Sequence, residues 1–466
     1  MCVALAAGLL VTATTVLTAS SAAADTTANA RLARAVDQYS AAVGLPQQSL
    51  ARIRRANLPG EVSNALAGEL EQLYRCDLIT QAHLPAIMQI FKVGLTDTGT
   101  PPLPGTQQSG ETVLGIPVED FPNPDLAEQF PFEKAVRACG DATVTSLEKV
   151  RSVLTGRNLP RSSELDLWPV LRFAPGDVAD TYLHDYVLLV DTSGGNHIYN
   201  NAGGNAFDIW RGPAGSVAPI KAPAVGCASA IDIIHAQTCT FVSAAALVMG
   251  DNNQFQRFEA PAPDTDAHCT NDLMARRIFT QGMGNGGVGV LIVVGSDNNF
   301  VGKTFTNGAG MIGGYGYQRT DGDRNQYTSI RSTLGAAIVG GIGTFIANGN
   351  DNTYETYMPA PKDPNAEPGM VGSGGLASDL NNCDSGRAIT LGAGSVGGVG
   401  IFVANGVGNT YDAVSQSLGF GRLFGEGRFT QNGGGVDTYA GIGSTGRGNN
   451  VTIEATTNNN GRFIDR

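Results

Sequence analysis

Two hydrophobic rhythms divide the chain. Between residues 28 and about 95, Val62, Leu66, Leu70 and Leu73 recur at the spacing of a helix buried along one side, and Pro59-Gly60 marks where that segment starts. A second helical stretch covers about 133 to 155, from Glu133 through Cys139 to Leu154. Residues 96–131 between them turn to Pro, Gly and Thr and read as a linker. From about 180 the apolar runs shorten. Val290-Leu291-Ile292-Val293-Val294 and Ile401-Phe402-Val403-Ala404 are rich in β-formers and too short for helices.

The short runs recur in register. Phe255, Phe300, Tyr327, Tyr354, Tyr411 and Tyr439 mark one aromatic position, separated by 45, 27, 27, 57 and 28 residues. Inserts account for the long steps: one holds Pro261, Pro263 and Cys269, the other Pro359, Pro361, Pro364, Pro368 and Cys383. Two residues before each aromatic stand Asn253, Asn298, Asn325, Asn352, Asn409 and Asp437. Upstream lie Gly289, Gly316, Gly343, Gly400 and Gly427, and before them the pairs Gly308/Gly310, Gly335/Ala337, Gly392/Gly394 and Gly419/Gly421. Agreement in three columns predicts a mainly β fold: a parallel β-solenoid, a β-helix of right-handed form, with repeats of about 27 residues over 180–466. Asn tolerates the left-handed region best among residues with a side chain, so its column predicts a repeated left-handed turn. At a strand spacing of about 4.8 Å its amides would bond along the stack, and the aromatic rings would stack likewise. The helical unit, residues 25–165, is expected to cover the first rung.

The stretch Asn409-Thr410-Tyr411 … Gln416-Ser417-Leu418-Gly419-Phe420-Gly421 … Gly433-Gly434-Gly435-Val436-Asp437-Thr438-Tyr439 resembles repeats of exported proteins from high-GC Gram-positive bacteria, with a pattern near G-N-D-T-Y, then Q-G-x-G-x-x-G-G-x-G. Gly194 to Asn205 is similar to the opening unit of such arrays, and the likeness covers about residues 185 to 455. It implies the repeat type and export, and it implies no activity. Gly408 and Arg324 depart from it, standing where Asp351 and Asp297 occupy the position before the Asn.

Composition narrows the partners. Charged residues make up 15% of the 466, and 62 are Gly, so solubility rests on amides and hydroxyls. A net charge of −12 opposes nucleic-acid phosphates and anionic lipids. An apolar run from Val3 to Leu17 leads to Ala22-Ala23-Ala24, the outline of a signal peptide over residues 1–24 and of a secreted, extracellular chain. No Lys or Arg precedes that run, which points to a start further upstream. No membrane span is expected in the mature chain. Six cysteines follow the signal, and an even count in an exported chain suggests disulfides. The expected pairs are Cys76–Cys139 between the helical segments, Cys269–Cys383 between the inserts, and Cys227–Cys239 locally.

Candidate chemistry is thin. Gly433 to Tyr439 approaches the tail of a calcium-binding nonapeptide, and Asp297, Asp351 and Asp437 offer hard oxygen ligands, with Asp251, Asp321 and Asp323 nearby in register. Nonapeptide sites recur every nine residues, however, and this motif recurs about every 27; a plain turn ladder competes with calcium, and no other cofactor is indicated. Asp321-Gly322-Asp323-Arg324 with Arg319 is the best acidic cluster for glycoside chemistry, which needs two carboxyls at fixed separation. The five histidines, His83, His184, His197, His235 and His268, show no i, i+4 pair and no recognisable Ser/Asp framework. The reading is therefore a secreted, non-enzymatic rod for multivalent contact with cell-wall glycan or another surface protein, its faces bearing Asn, Ser, Thr and Tyr. A polysaccharide-active enzyme is the alternative.

Overall fold

A computed structural model describes residues 25–41, 49–96, 112–113, 116–117, 133–176, 179–182, 186–200, 243–256, 278–302, 304–311, 313–329, 331–338, 340–356, 390–395, 397–413, 417–422, 425–440, 452–453 and 461–466. The expected signal segment 1–24, most of the 96–131 linker, and Cys227, Cys239, Cys269 and Cys383 lie outside these residues. What is described is mainly β, with parallel sheets, and four helices at the N-terminal side: α1 (25–41), α2 (Ser49–Ala56), α3 (Gly60–Thr96) and α4 (Glu133–Leu154). Among the described residues no helix is long and apolar enough to cross a membrane.

Four parallel sheets of eleven, eight, five and three strands take up the chain in turn. After strand Val288–Val294 of the long sheet, the chain enters the eight-stranded sheet at Asn299–Val301, the three-stranded sheet at Thr304–Thr306 and the five-stranded sheet at Gly310–Met311. It then returns to the long sheet at Tyr315–Asp321, paired with Val288–Val294 at an offset of 27 residues. The same step separates Tyr315 from Ile342 and Val399 from Glu426, while the insert widens Ile342 to Val399. Both ends of the long sheet change direction. Leu165–Leu167 pairs antiparallel with Leu171–Ala174 at one end, and Thr452–Ile453 pairs antiparallel with Gly461–Asp465 at the other. Antiparallel terminal strands interrupt the parallel template that an open edge would offer.

The interior has a narrow half and a wide half. In the narrow half main chain lies on main chain: a Cβ built at Gly316, Gly343 or Gly400 would come within 1.9–2.2 Å of the carbonyl oxygen of Ala309, Ala336 or Ala393. Any side chain there would force the sheets apart, which explains the glycine column. The wide half holds stacked rings. From Tyr182 through Tyr199, Phe255, Phe300, Tyr327, Tyr354 and Tyr411 to Tyr439, successive ring centroids lie 4.5–5.0 Å apart and nearly parallel. A second pile, Phe345–Phe402–Phe429–Phe463, meets them edge-on. The tyrosines of the column thus belong to the core, Tyr354 and Tyr411 being 0% exposed, and not to the outer faces where the sequence alone placed Tyr.

Whether a rung carries Phe or Tyr follows from what the hydroxyl would meet. Val248 and Val293 occupy one inward column of the long sheet, and the rings of their rungs are Phe255 and Phe300. Where the column offers a polar atom, Tyr takes it: Tyr182 and Tyr199 donate to Asp191, Tyr327 bonds Thr320, Tyr411 donates to Gln431 and Tyr439 to Asp465. Tyr354 breaks the rule. Ala347 and Ala404 stand in that column at its level, and its hydroxyl has no hydrogen-bond partner.

The helical unit sits on the side of the sheet, a correction to its expected place over the first rung. Val62, Leu66, Leu70 and Leu73 of α3 are buried against α4, and Cys76 is bonded to Cys139 between the two, as the sequence suggested. The other side of α4 lies across strands Ala244–Asp251, Val288–Val294 and Tyr315–Asp321. There it buries Val288, Val290, Ile292 and Tyr315 on the outward face of the sheet. Gly140 makes the fit possible, since a Cβ there would fall 2.3 Å from the Tyr315 ring.

Replacing Tyr354 with Phe removes a buried hydroxyl that bonds nothing, so Tyr354→Phe should raise stability by about 1 kcal/mol. Tyr327→Phe should lower it by about the same, because the Thr320 hydroxyl loses its partner. Urea unfolding monitored by circular dichroism would show it; equal midpoints for the two variants would refute the Phe/Tyr rule.

Candidate functional site

The turn that ends each long-sheet strand contains most of the residues singled out in the sequence, and it is built identically in successive rungs. A glycine (Gly250, Gly295, Gly322, Gly349 or Gly406) leads to a residue that is polar in all but the last case, Val407, then to Asn252, Asp297, Arg324, Asp351 or Gly408, then to the Asn column. The left-handed residue is the one before the Asn: φ is +58 at Asn252, +60 at Asp297, +55 at Arg324 and +57 at Asp351. This corrects the expected left-handed Asn. Gly408 at the same position is the residue such a φ favours most.

The Asn side chains point inward and bond main chain. Each Oδ1 accepts from the backbone N–H of the preceding rung's residue: Asn253 takes His197, Asn298 takes Asn253, Asn325 takes Asn298, Asn352 takes Asn325 and Asn409 takes Asn352, at 2.8–3.0 Å. Each Nδ2 from Asn253 to Asn352 donates to the glycine carbonyl three residues back. Only Asn298 adds an amide-to-amide bond, to Asn325. Asp437 ends the column, accepting from the Asn409 N–H at 2.7 Å and from Gln431 Nε2 at 2.9 Å. Gln431 also takes the Gly406 carbonyl, which leaves Asn409 Nδ2 without a partner. An acid suits this place because both of its oxygens are used as acceptors, one for the Asn409 N–H and one for Gln431. Burial pushes the Asp437 carboxyl up, while the Asn409 N–H and Gln431 pull it down.

The calcium candidates do not converge. Asp297 is gripped by the Arg324 guanidinium at 2.7–2.8 Å, a partner that lowers its carboxyl, and Asp437 is spent inside the ladder. Asp351 holds the left-handed turn. Asp251 and Asp323 cap the next rung's N–H groups, at Ser296 and Asn350. Among the described residues no group of three His, Cys, Asp or Glu side chains could hold a metal ion.

The cluster considered for glycoside chemistry has a structural employer. Asp321 receives Arg319 Nε at 2.8 Å, Asn348 Nδ2 at 2.5 Å and, from α4, Arg151 Nη1 at 2.5 Å, while Arg319 Nη1 reaches Glu148 of α4 at 3.0 Å. Burial raises the Asp321 carboxyl, but Arg319, Asn348 and Arg151 together hold it below its usual value. With its partners all internal, the network fastens α4 to the sheet.

Sequence reading missed one constellation: Asp191, Ser193 and His197 meet in the core, the last as the first member of the Asn column. The signal was the spacing D-x-S-x-x-x-H just ahead of the first aromatic rung. Ser193 Oγ lies 2.7 Å from His197 Nε2. His197 Nδ1, however, accepts the Asp180 backbone N–H at 2.9 Å, which places the ring proton on Nε2. That proton goes to Ser193, and the Ser193 hydroxyl in turn donates to Asp191 Oδ1. A general base needs a bare nitrogen toward the serine; this one presents its proton. Tyr182 and Tyr199 fill the other Asp191 oxygen, and Asp191 and His197 are each 1% exposed. The group is a sealed polar knot at the head of the ring stack.

The remaining surface is the outward face of the eight-stranded sheet. Gln254, Asn299, Gln326, Thr353, Thr410 and Thr438 form one outward column, and Asn299 donates to Gln254 at 3.1 Å. Beside it run Val301, Thr328, Glu355 and Asp412. One row of this face is amide and hydroxyl, the row beside it carries the carboxylates of Glu355 and Asp412 and the exposed Val301, and the stacked rings lie behind both.

Three outcomes test these assignments. Asn352→Gly should cost about 2–3 kcal/mol, two buried side-chain bonds at roughly 1 kcal/mol each plus backbone freedom. Asp351→Gly should be neutral or stabilising by up to about 1 kcal/mol, since it relieves a positive φ. Thermal melts that rank the two the other way would contradict the turn geometry. A fluorophosphonate probe should leave Ser193 unlabelled in the native chain; labelling there would mean that the knot opens to solvent.

No family model, curated protein or solved structure matches the chain, so its role must be argued from its own geometry.

Proposed function

We propose that the chain is a secreted, non-enzymatic β-solenoid protein whose flat outer sheet makes multivalent contact with a cell-wall glycan or another surface protein. The carrying observation is where the polar chemistry goes. Turn carboxylates cap neighbouring rungs, Asp321 fastens a helix, and the Ser–His–Asp knot is closed with the proton on the wrong nitrogen for catalysis. What faces outward from Gln254 to Thr438 is a row of amides and hydroxyls, with Glu355 and Asp412 in the row beside it.

Rows suit a polymer. A single amide or hydroxyl contact in water contributes little, but the same group repeated rung after rung meets successive units of a chain-like partner, and each further contact is intramolecular once the first has formed. The recurring four-sheet order, at a 27-residue step where no insert intervenes, supports the solenoid reading, and the even cysteine count supports the secreted one.

The test is sedimentation with insoluble uncharged polysaccharides and with purified cell wall. Binding is expected, and it should weaken at least about tenfold when Gln326, Thr353 and Thr410 are changed together to Glu, with folding unaltered. Absence of binding to every wall and glycan preparation, or release of reducing sugar from any of them, would overturn the reading.

A further inference from the structure

We propose that Glu69 and Asp77, on one side of α3, make the seat of the helical unit a pH-sensitive lock, closed while both carboxyls keep their protons and loosened when they lose them. Glu69 is 0% exposed, and neither of its oxygens has a hydrogen-bond partner. Asp77, two turns further along α3, is 4% exposed and accepts the Ser243 N–H at 2.5 Å. Ser243 directly precedes strand Ala244–Asp251, and its hydroxyl accepts the N–H of Val288 at the start of the next strand. Asp77 therefore touches the array where two strands of the long sheet begin.

Among the described residues no cation answers either acid. The facing groups are Tyr39 of α1, buried beside Asp77, and Tyr74 of α3 itself; α4 contributes the Ser146 hydroxyl. The nearby guanidiniums serve Glu71 instead, Arg31 through two hydrogen bonds and Arg34 and Arg75 through their charge. Across the seat, Tyr315 donates to Asp141, and Glu148, Arg151, Arg319 and Asp321 satisfy one another. Cys76–Cys139 also ties α3 to α4, so the carboxyls act on the seat against the sheet more than on the two helices' hold on each other.

An ionised carboxylate without partners is far costlier to bury than a neutral acid. Burial pushes Glu69 up to about 8, with Ser146 opposing weakly, and pushes Asp77 up to about 7 against the Ser243 and Tyr39 contacts. In the unfolded chain both ionise near pH 4. Between pH 4 and 8 the unfolded state releases protons that the folded state keeps, so stability falls as pH rises through that window and levels off above it.

Hydrogen exchange on the full, disulfide-intact chain at pH 5.5 and 8.5, corrected for intrinsic chemistry, reads the lock. Protection in α3, α4 and strand Ala244–Asp251 should drop at least about tenfold at the higher pH, while strands beyond Ile342 keep theirs. Glu69→Gln and Asp77→Asn should each shrink the drop in protection between the two pH values. The proposal fails if the wild type is equally protected at both values, or if the loss extends equally over the far strands. If neither variant folds, the wild-type comparison alone decides.

Discussion

Parallel in-register pairing, at a 27-residue step in the uninterrupted repeats, is the constraint on which the rest of the structure depends. It sets every residue against its own counterpart one strand spacing away, so each column must be filled by a residue type that tolerates stacking on itself. Rings do so at 4.5–5.0 Å, glycines where two main chains touch, and asparagines where a turn repeats. A single misfit residue would be felt by the rungs above and below it. Across the insert between them, strands Ile342–Asn348 and Val399–Asn405 still pair residue for residue.

Inside such a stack polar groups need partners from a short menu, because water is excluded. The Asn ladder solves this by taking main-chain groups on both sides, one N–H from the rung before and one carbonyl from its own turn. The tyrosines solve it by facing Asp191, Thr320, Gln431 or Asp465, and the valine-faced rungs solve it by using Phe. Misfits remain: the Tyr354 hydroxyl and the Asn409 amide nitrogen lie where a neighbour supplies no partner or has taken it, and both polar atoms of the buried Gln318 side chain have no partner among the described residues.

The helical unit changes what the array can present. By covering the outward face of three long-sheet strands it makes that side a protein–protein junction, bound by hydrophobic contact and by the Glu148–Arg319–Asp321–Arg151 chain. The eight-stranded sheet on another side keeps its amides and hydroxyls outward. The array therefore has one side committed to the helices and another that repeats amides and hydroxyls from rung to rung.

Much of this was legible in the residues, because in-register stacking writes itself as periodicity. The aromatic, Asn and Gly columns, the parallel β character and the Cys76–Cys139 bond could all be read without coordinates. Three things could not. The left-handed residue proved to be Asp351 and its equivalents, one place before the Asn, since spacing marks a turn but does not say which of its residues carries the unusual φ. The destinations of Asp321 and of the Asp191–Ser193–His197 knot depend on contacts 170 residues apart in one case and on a single backbone N–H in the other. Which side of the array the helices cover turned on Gly140 against Tyr315 and on Asp77 against Ser243, contacts with no local pattern. Repetition determined the stack from sequence alone; only folding decided which carboxylates remained for anything else, because a column is visible along the chain and a partner from outside it is not.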